Sequence, residues 1–187
     1  SPSGTGRGSS GSGTTALVKA LSTHEKKILH TAEIAELACD IEINKLGEPI
    51  GKQDQFACAY GGFNEFIFKK NSVIANPINI SQSVKEELEE NMLLLYTNTS
   101  RLANDILKEQ SQNTESNSTT MNSLREMVKL AHIFKDKVTS QNLEDVGEML
   151  DYSWQLKKNL TNNISNSELD DLYNYCMTLG AMGGKIL

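Results

Sequence analysis

Residues 1–21 read SPSGTGRGSSGSGTTALVKAL. Ser1–Gly13 is a glycine/serine run that reads as a flexible loop. From Thr14 the composition changes to Ala16, Leu17, Val18, Ala20 and Leu21, which suits a short, largely buried helix. Glycines let backbone N–H groups turn inward around an anion without side-chain clash. A helix behind them adds unpaired donors and the positive end of its dipole. Serine hydroxyls add further donors, or oxygen ligands for Mg²⁺. The stretch therefore reads as a phosphate cradle, with a plain Gly/Ser linker as the alternative. Two better-known phosphate loops do not fit. No Gly-Lys-Ser/Thr occurs, which a Walker loop requires. Gly6–Gly11 matches GxGxxG in form, but no strand precedes it and no acidic-ended second strand follows.

Working outward, Ser22–His30 is a polar connection. Thr31 is a plausible N-cap, and Ile34, Leu37, Ala38, Ile41 and Leu46 recur at three- and four-residue steps, so Ala32–Leu46 is expected to be one amphipathic helix. Gly47 and Pro49 end it. Phe56–Tyr60 reads as a short helix before Gly61-Gly62. Phe63–Phe68 and Ser72–Ile80 read as a hairpin around Lys69-Lys70-Asn71. The composition shifts at SQSVKEELEE, and a domain boundary is placed there. Met92–Tyr96 reads as a buried strand and Arg101–Gln110 as a helix. Ser111–Thr120 is polar and low in complexity, so a loop is expected. Three helices follow, at about Met121–Thr139, Asn142–Leu160 and Ser167–Leu179.

The 187 residues carry 18 Lys+Arg against 24 Asp+Glu, a net charge of −6. That excludes the basic footprint of a nucleic-acid binder. No apolar run approaches the roughly 20 residues that span a bilayer, and the beginning has no basic-then-apolar signal segment. With 38% hydrophobic and 22% charged residues the chain is of globular type. Cys39, Cys58 and Cys176 show neither CxxC nor Cys/His spacing, so they read as buried free thiols of a reducing, cytoplasmic protein. His24, His30 and His132 show no triad or metal spacing. The Met residues and Trp154 are expected in the core. The chain opens inside a loop without Met. It closes on Gly183-Gly184-Lys185-Ile186-Leu187, a glycine turn into apolar residues that reads as the opening of a strand. Both ends suggest a fragment.

Two acids stand out. Glu42 lies near the end of the second helix, in Cys39-Asp40-Ile41-Glu42-Ile43. Asp54 lies twelve positions on, between two glutamines. Phosphoryl transfer wants one carboxylate to hold Mg²⁺ and another to accept or orient the acceptor hydroxyl. The two acids serve that chemistry if the chain folds back over the glycine loop. Otherwise Glu42 is a solvated helix charge and Asp54 a turn residue.

Three blocks together, SPSGTGRGSSGSGTTALVKAL, ELACDIEINKLGEPIGKQDQFACAYGGFNEFIF and LDDLYNYCMTLGAMGGKIL, resemble the GHMP small-molecule kinases. The middle block is most similar to the branch acting on D-glycero-D-manno-heptose 7-phosphate. The resemblance implies an α+β, two-domain fold that is incomplete at both termini. Residues 1–85 would be a partial nucleotide-binding domain (ribosomal-S5-domain-2-like), and residues 86–187 a partial, helical and ferredoxin-like C-terminal domain. It implies ATP and Mg²⁺ as cofactors, with Gly4, Thr5, Gly6, Gly8, Ser9 and Ser10 around the ATP phosphates. It also implies Ser10 and Glu42 on the metal, Asp54 as the catalytic aspartate, and Lys52, Thr99 and Arg101 toward a sugar-phosphate acceptor. The partners implied are ATP and that small molecule, with neither nucleic acid nor membrane, and a homodimer is left open.

Arg7 departs from the family, which has Leu there, and a solvent-facing side chain is expected. The family's first and third motifs are absent from the sequence, so the chain by itself is expected to lack full activity. Lys157 and Lys158 read as a solvated face. The rivals are a kinase for another small alcohol such as galactose or mevalonate, a non-catalytic ligand-sensing module of the same fold, and a helical scaffold with a Gly/Ser linker.

Overall fold

The computed structural model describes residues 8–97, 109–110, 113–114, 118–161 and 164–186. It divides into two compact units. The first has described residues 8–78; the second has described residues 79–97 and those from 109 onward.

In the first unit, α1 (Ser9–His24), α2 (Thr31–Cys39) and α3 (Gln53–Tyr60) pack on one another, and the hairpin β1 (Asn64–Lys69) and β2 (Ser72–Pro77) follows. Helix α1 starts inside the glycine/serine run, so Ser9–Gly13 is helix rather than loop. Its buried face is Gly11, Thr15, Val18 and Ser22, while Leu17 and Leu21 are exposed. Of the apolar residues expected inside, only Val18 lies on the face that packs. Small side chains allow the close approach of α3, and that requirement selects the face.

Helix α2 starts at Thr31 with His30 as its N-cap, and the His30 N–H donates to Glu33 Oε2 at 2.7 Å. It stops at Cys39 and continues as a π-helical turn, Asp40–Lys45, closed by the Leu46 N–H donating to the Ile41 carbonyl at 2.9 Å. The wider turn carries one more residue per turn than an α-helix, which changes the face each later residue takes. Leu46, expected on the apolar stripe, is exposed, and Glu42 is wholly buried. Ala35 and Ala38 lie fully buried where α2 meets its neighbours, Ala38 against Val18 and Ile34, and Ala35 beside Cys39 and Phe56.

Phe56 anchors the unit. Its ring lies 6.1 Å from Tyr60, 6.0 Å from Phe66 and 6.1 Å from Phe68, the last two edge-on. Helix α3 is thereby tied to the hairpin, whose register runs from Asn64↔Pro77 to Lys69↔Ser72 around Lys70-Asn71. The expected hairpin and short helix are both present, with bounds shifted by a few residues.

In the second unit, α4 (Gln82–Asn91) is capped by Ser81, whose side chain accepts from the Val84 N–H. It is followed by α5 (Ser118–Thr139), α6 (Val146–Lys158) and α7 (Ser167–Thr178). Asn166 caps α7, accepting from the Leu169 N–H at 2.9 Å. Helix α5 takes in Ser118–Thr120, and residues 113–114 are helical, where a loop was expected. The last of the three expected helices loses one residue, and α6 begins four residues later than expected. Met92–Tyr96 is not a strand; these residues are between 55% and 89% exposed. A strand needs a partner for its N–H and C=O groups, and no described strand lies beside it. Trp154 is in the core as expected, but Met92 and Met182 are exposed. The segment after α7 lies over α6, where a Cβ on Gly183 would collide with the Gly147 carbonyl oxygen. Tyr173 there donates to Asp151 at 2.6 Å, which lowers the Asp151 carboxyl below its usual range. No described helix is long and apolar enough to cross a membrane.

Of the three free thiols, Cys39 is buried, Cys176 half-buried and Cys58 exposed, so the expectation of three buried thiols holds only at Cys39. Burial pushes the Cys39 thiol up to about 11. In the native protein at pH 8, iodoacetamide should label Cys58 well before Cys39, and denaturation should abolish the difference; peptide mapping reads it. Phe56→Ala should cost about 3–5 kcal/mol, seen as a lower denaturant midpoint by circular dichroism.

Candidate active site

The site is built in the first unit, where the beginnings of two helices meet the π-helical turn. Gly8 precedes α1 with φ 62°, a left-handed conformation that glycine tolerates. No side-chain cap closes α1. The first N–H groups of a helix have no acceptor within the helix, and with the dipole they favour an anion there. Asp54 comes down beside this turn from the first turn of α3. A Cβ at Gly8 would lie 3.2 Å from Asp54 Oδ2, and one at Gly11 3.1 Å from the Asp54 Cβ. The two glycines therefore hold α1 and α3 at a distance that larger residues would not allow. Asp54 is exposed, and its carboxylate makes no hydrogen bond to another described residue. It stands open to solvent at the mouth of the helix.

Glu42 lies behind, fully buried. Its Oε1 accepts from the Ser10 hydroxyl and its Oε2 from the Gln55 side-chain amide. Its backbone carbonyl accepts from the Glu48 N–H at 3.0 Å, which fixes the exit from the π-helical turn. A buried carboxylate needs hydrogen-bond donors, and the two here come from α1 and α3.

Of the residues singled out from the sequence, Gly8, Ser9, Ser10, Glu42 and Asp54 are brought to this one place. Gly4, Thr5, Gly6 and Arg7 lie outside the described residues, as do Thr99 and Arg101. Lys52, just before α3, pairs with Glu36 of α2 at 2.8 Å, with both side chains partly exposed. Two participants were missed. Gly11 lies in the run that reads as a loop, and only its place on a helix shows what it packs against. Gln55 follows Asp54 directly, and no periodicity separates a buried glutamine from a solvated one.

Glu42 and the Ser10 hydroxyl form an oxygen-only pair. Among the described residues no group of three or more His, Cys, Asp or Glu side chains gathers into a metal cage. This donor set suits Mg²⁺, which is commonly held by one or two carboxylates together with substrate phosphates and waters. Zinc and other softer metals find no nitrogen or sulfur set in this pair.

Residues 1–62 match the family of GHMP kinases N terminal domains. Over 185 residues the chain is 33% identical to the D-glycero-alpha-D-manno-heptose 7-phosphate kinase of Campylobacter jejuni, covering 98% of this chain and 54% of that protein. The crystal structure of a D-glycero-D-manno-heptose 1-phosphate kinase from Bacteriodes thetaiotaomicron superposes with a TM-score of 0.72 at 26% identity, over 100% of this chain and 51% of that one. The crystal structure of the L. major mevalonate kinase in complex with R-mevalonate superposes with a TM-score of 0.67 over 95% of this chain and 52% of that one. At 17% identity it speaks for the fold alone. The chain thus spans about half the length of these three relatives, and the expected α+β class and family resemblance both hold.

The glycine packing is directly testable. Gly11→Leu should force α3 away and cost about 1–3 kcal/mol. Gly13→Ala, where a Cβ meets nothing within 4 Å, should gain roughly 0.5–1 kcal/mol. Paired thermal melts check the contrast.

Proposed function

From the likeness of residues 1–62 to GHMP kinases N terminal domains and of the whole chain to two heptose phosphate kinases, we propose that this chain is of the GHMP kinase superfamily and carries the phosphate-binding and catalytic part of an ATP-dependent kinase. That kinase transfers the γ-phosphoryl group to a hydroxyl of a sugar phosphate, D-glycero-D-manno-heptose 7-phosphate being the acceptor proposed. The single observation that carries the reading is the meeting of Gly8, Ser10, Glu42 and Asp54 at the start of α1. Residues 1–85 are proposed as a partial nucleotide-binding domain and 86–187 as a partial C-terminal domain.

In this reading Gly4, Thr5, Gly6, Gly8, Ser9 and Ser10, with the first N–H groups of α1, receive the ATP phosphates. Ser10 and Glu42 hold Mg²⁺, which neutralises phosphate charge when bound. Asp54, with its carboxylate open to solvent, takes the proton of the acceptor hydroxyl or orients that hydroxyl for attack. Such a site works mainly by positioning and charge. Lys52, Thr99 and Arg101 are proposed on the acceptor side, where a guanidinium suits a phosphate group. Lys52 would have to leave Glu36 to serve there. That exchange is cheap, since an exposed ion pair contributes at most about 1 kcal/mol.

The sugar-phosphate acceptor rests on likeness to the two heptose phosphate kinases. A panel of heptose 7-phosphate, galactose and mevalonate, run with the protein at its full natural length, tests the choice. Turnover of the heptose phosphate at the highest kcat/KM is expected, and a clear preference for another alcohol would replace it. Asp54→Asn should lower kcat about 10²–10⁴-fold while the affinity for ATP changes little. A variant of undiminished kcat would remove Asp54 from the chemistry.

A further inference from the structure

Gln55 has no part in the reading above, yet it is buried at the heart of the site. It is 1% exposed. Its Nε2 donates to Glu42 Oε2, while its Oε1 is buried with no hydrogen-bond partner. The amide orientation follows from the partner, because turning it over would set Oε1 against a carboxylate oxygen. A buried glutamine with half its amide unsatisfied is a poor choice for folding alone. Its geometry instead fixes one carboxylate. Glu42 has two equivalent oxygens. The Gln55 amide occupies one from the α3 side, and the other is left on the Ser10 side, toward the start of α1.

We propose that Gln55 is the positioning residue of the metal-holding carboxylate. By restraining Glu42 Oε2 it presents Oε1, together with the Ser10 hydroxyl, to the divalent cation that accompanies the nucleotide. Gln55 touches neither metal nor substrate and acts through Glu42. Its placement directly after Asp54 on α3 links the proton-handling group and the metal-holding group through one rigid turn. The inference rests on the proposed kinase reading.

The experiment measures binding without turnover. Mn²⁺·ADP affinity is read by electron paramagnetic resonance of bound Mn²⁺, and ADP affinity in EDTA by calorimetry, for the wild type, Gln55→Met, Glu42→Gln and the double variant. Gln55→Met keeps side-chain length and removes the amide. The expected result is a loss of Mn²⁺·ADP affinity of about 10- to 100-fold in Gln55→Met, with metal-free ADP affinity within about twofold. Because the effect passes through Glu42, adding Gln55→Met to Glu42→Gln should cost little more than Glu42→Gln alone. General damage to the fold would lower metal-free ADP affinity as well and would count against the proposal. Additive losses, or a Gln55→Met that binds Mn²⁺·ADP like the wild type, would overturn it while leaving the kinase reading intact. A wild type that binds no Mn²⁺·ADP would bring down both.

Discussion

A carboxylate sealed from solvent is the interaction on which the first unit depends. Glu42 has no exposed surface, and a buried anion is tolerable only if the surrounding protein supplies donors. The donors are the Ser10 hydroxyl and the Gln55 amide, which belong to α1 and α3, while Glu42 itself continues α2. Satisfying one charge therefore draws three separate stretches of chain to one point. Removing either donor would leave a buried charge short of a partner, so the arrangement is more than the sum of two hydrogen bonds.

Around that point the packing is set by what is missing from side chains. Gly8 and Gly11 bring α1 against Asp54, Ala35 and Ala38 bury the face of α2, and Phe56 with its ring of Tyr60, Phe66 and Phe68 fills the far side. The aromatic cluster locks α3 to the hairpin, and α3 carries both Asp54 and Gln55. Apolar packing on one side of a short helix thus places polar chemistry on the other. The outcome is an open carboxylate beside an uncapped helix start, with a second, sealed carboxylate behind it. Such a pair can divide labour between handling a proton and holding a cation, as the proposed phosphoryl transfer requires.

Much of this was legible in the chain. The helix behind the glycine/serine run and the aromatic hairpin point the right way, because each depends on local preference: helical spacing, alternation in strands. The errors share a cause. Leu17 and Leu21 were expected inside, yet Thr15 and Gly11 are buried because α3 must approach closely. Leu46 was expected on the apolar stripe, yet the π-helical turn rotates it outward. The run Met92–Tyr96 has strand composition, yet no described strand offers it a ladder.

By itself, then, the order of residues determined where helices and turns can form and which chemical groups were on hand: a glycine/serine run and two acids. It had no means of saying that Glu42 would be buried and Asp54 open. Those states arise from the extra residue in the π-helical turn and from the van der Waals contact of Asp54 with two glycines more than forty positions earlier. Burial and pairing are properties of neighbours distant along the chain, and only the folded arrangement selects them.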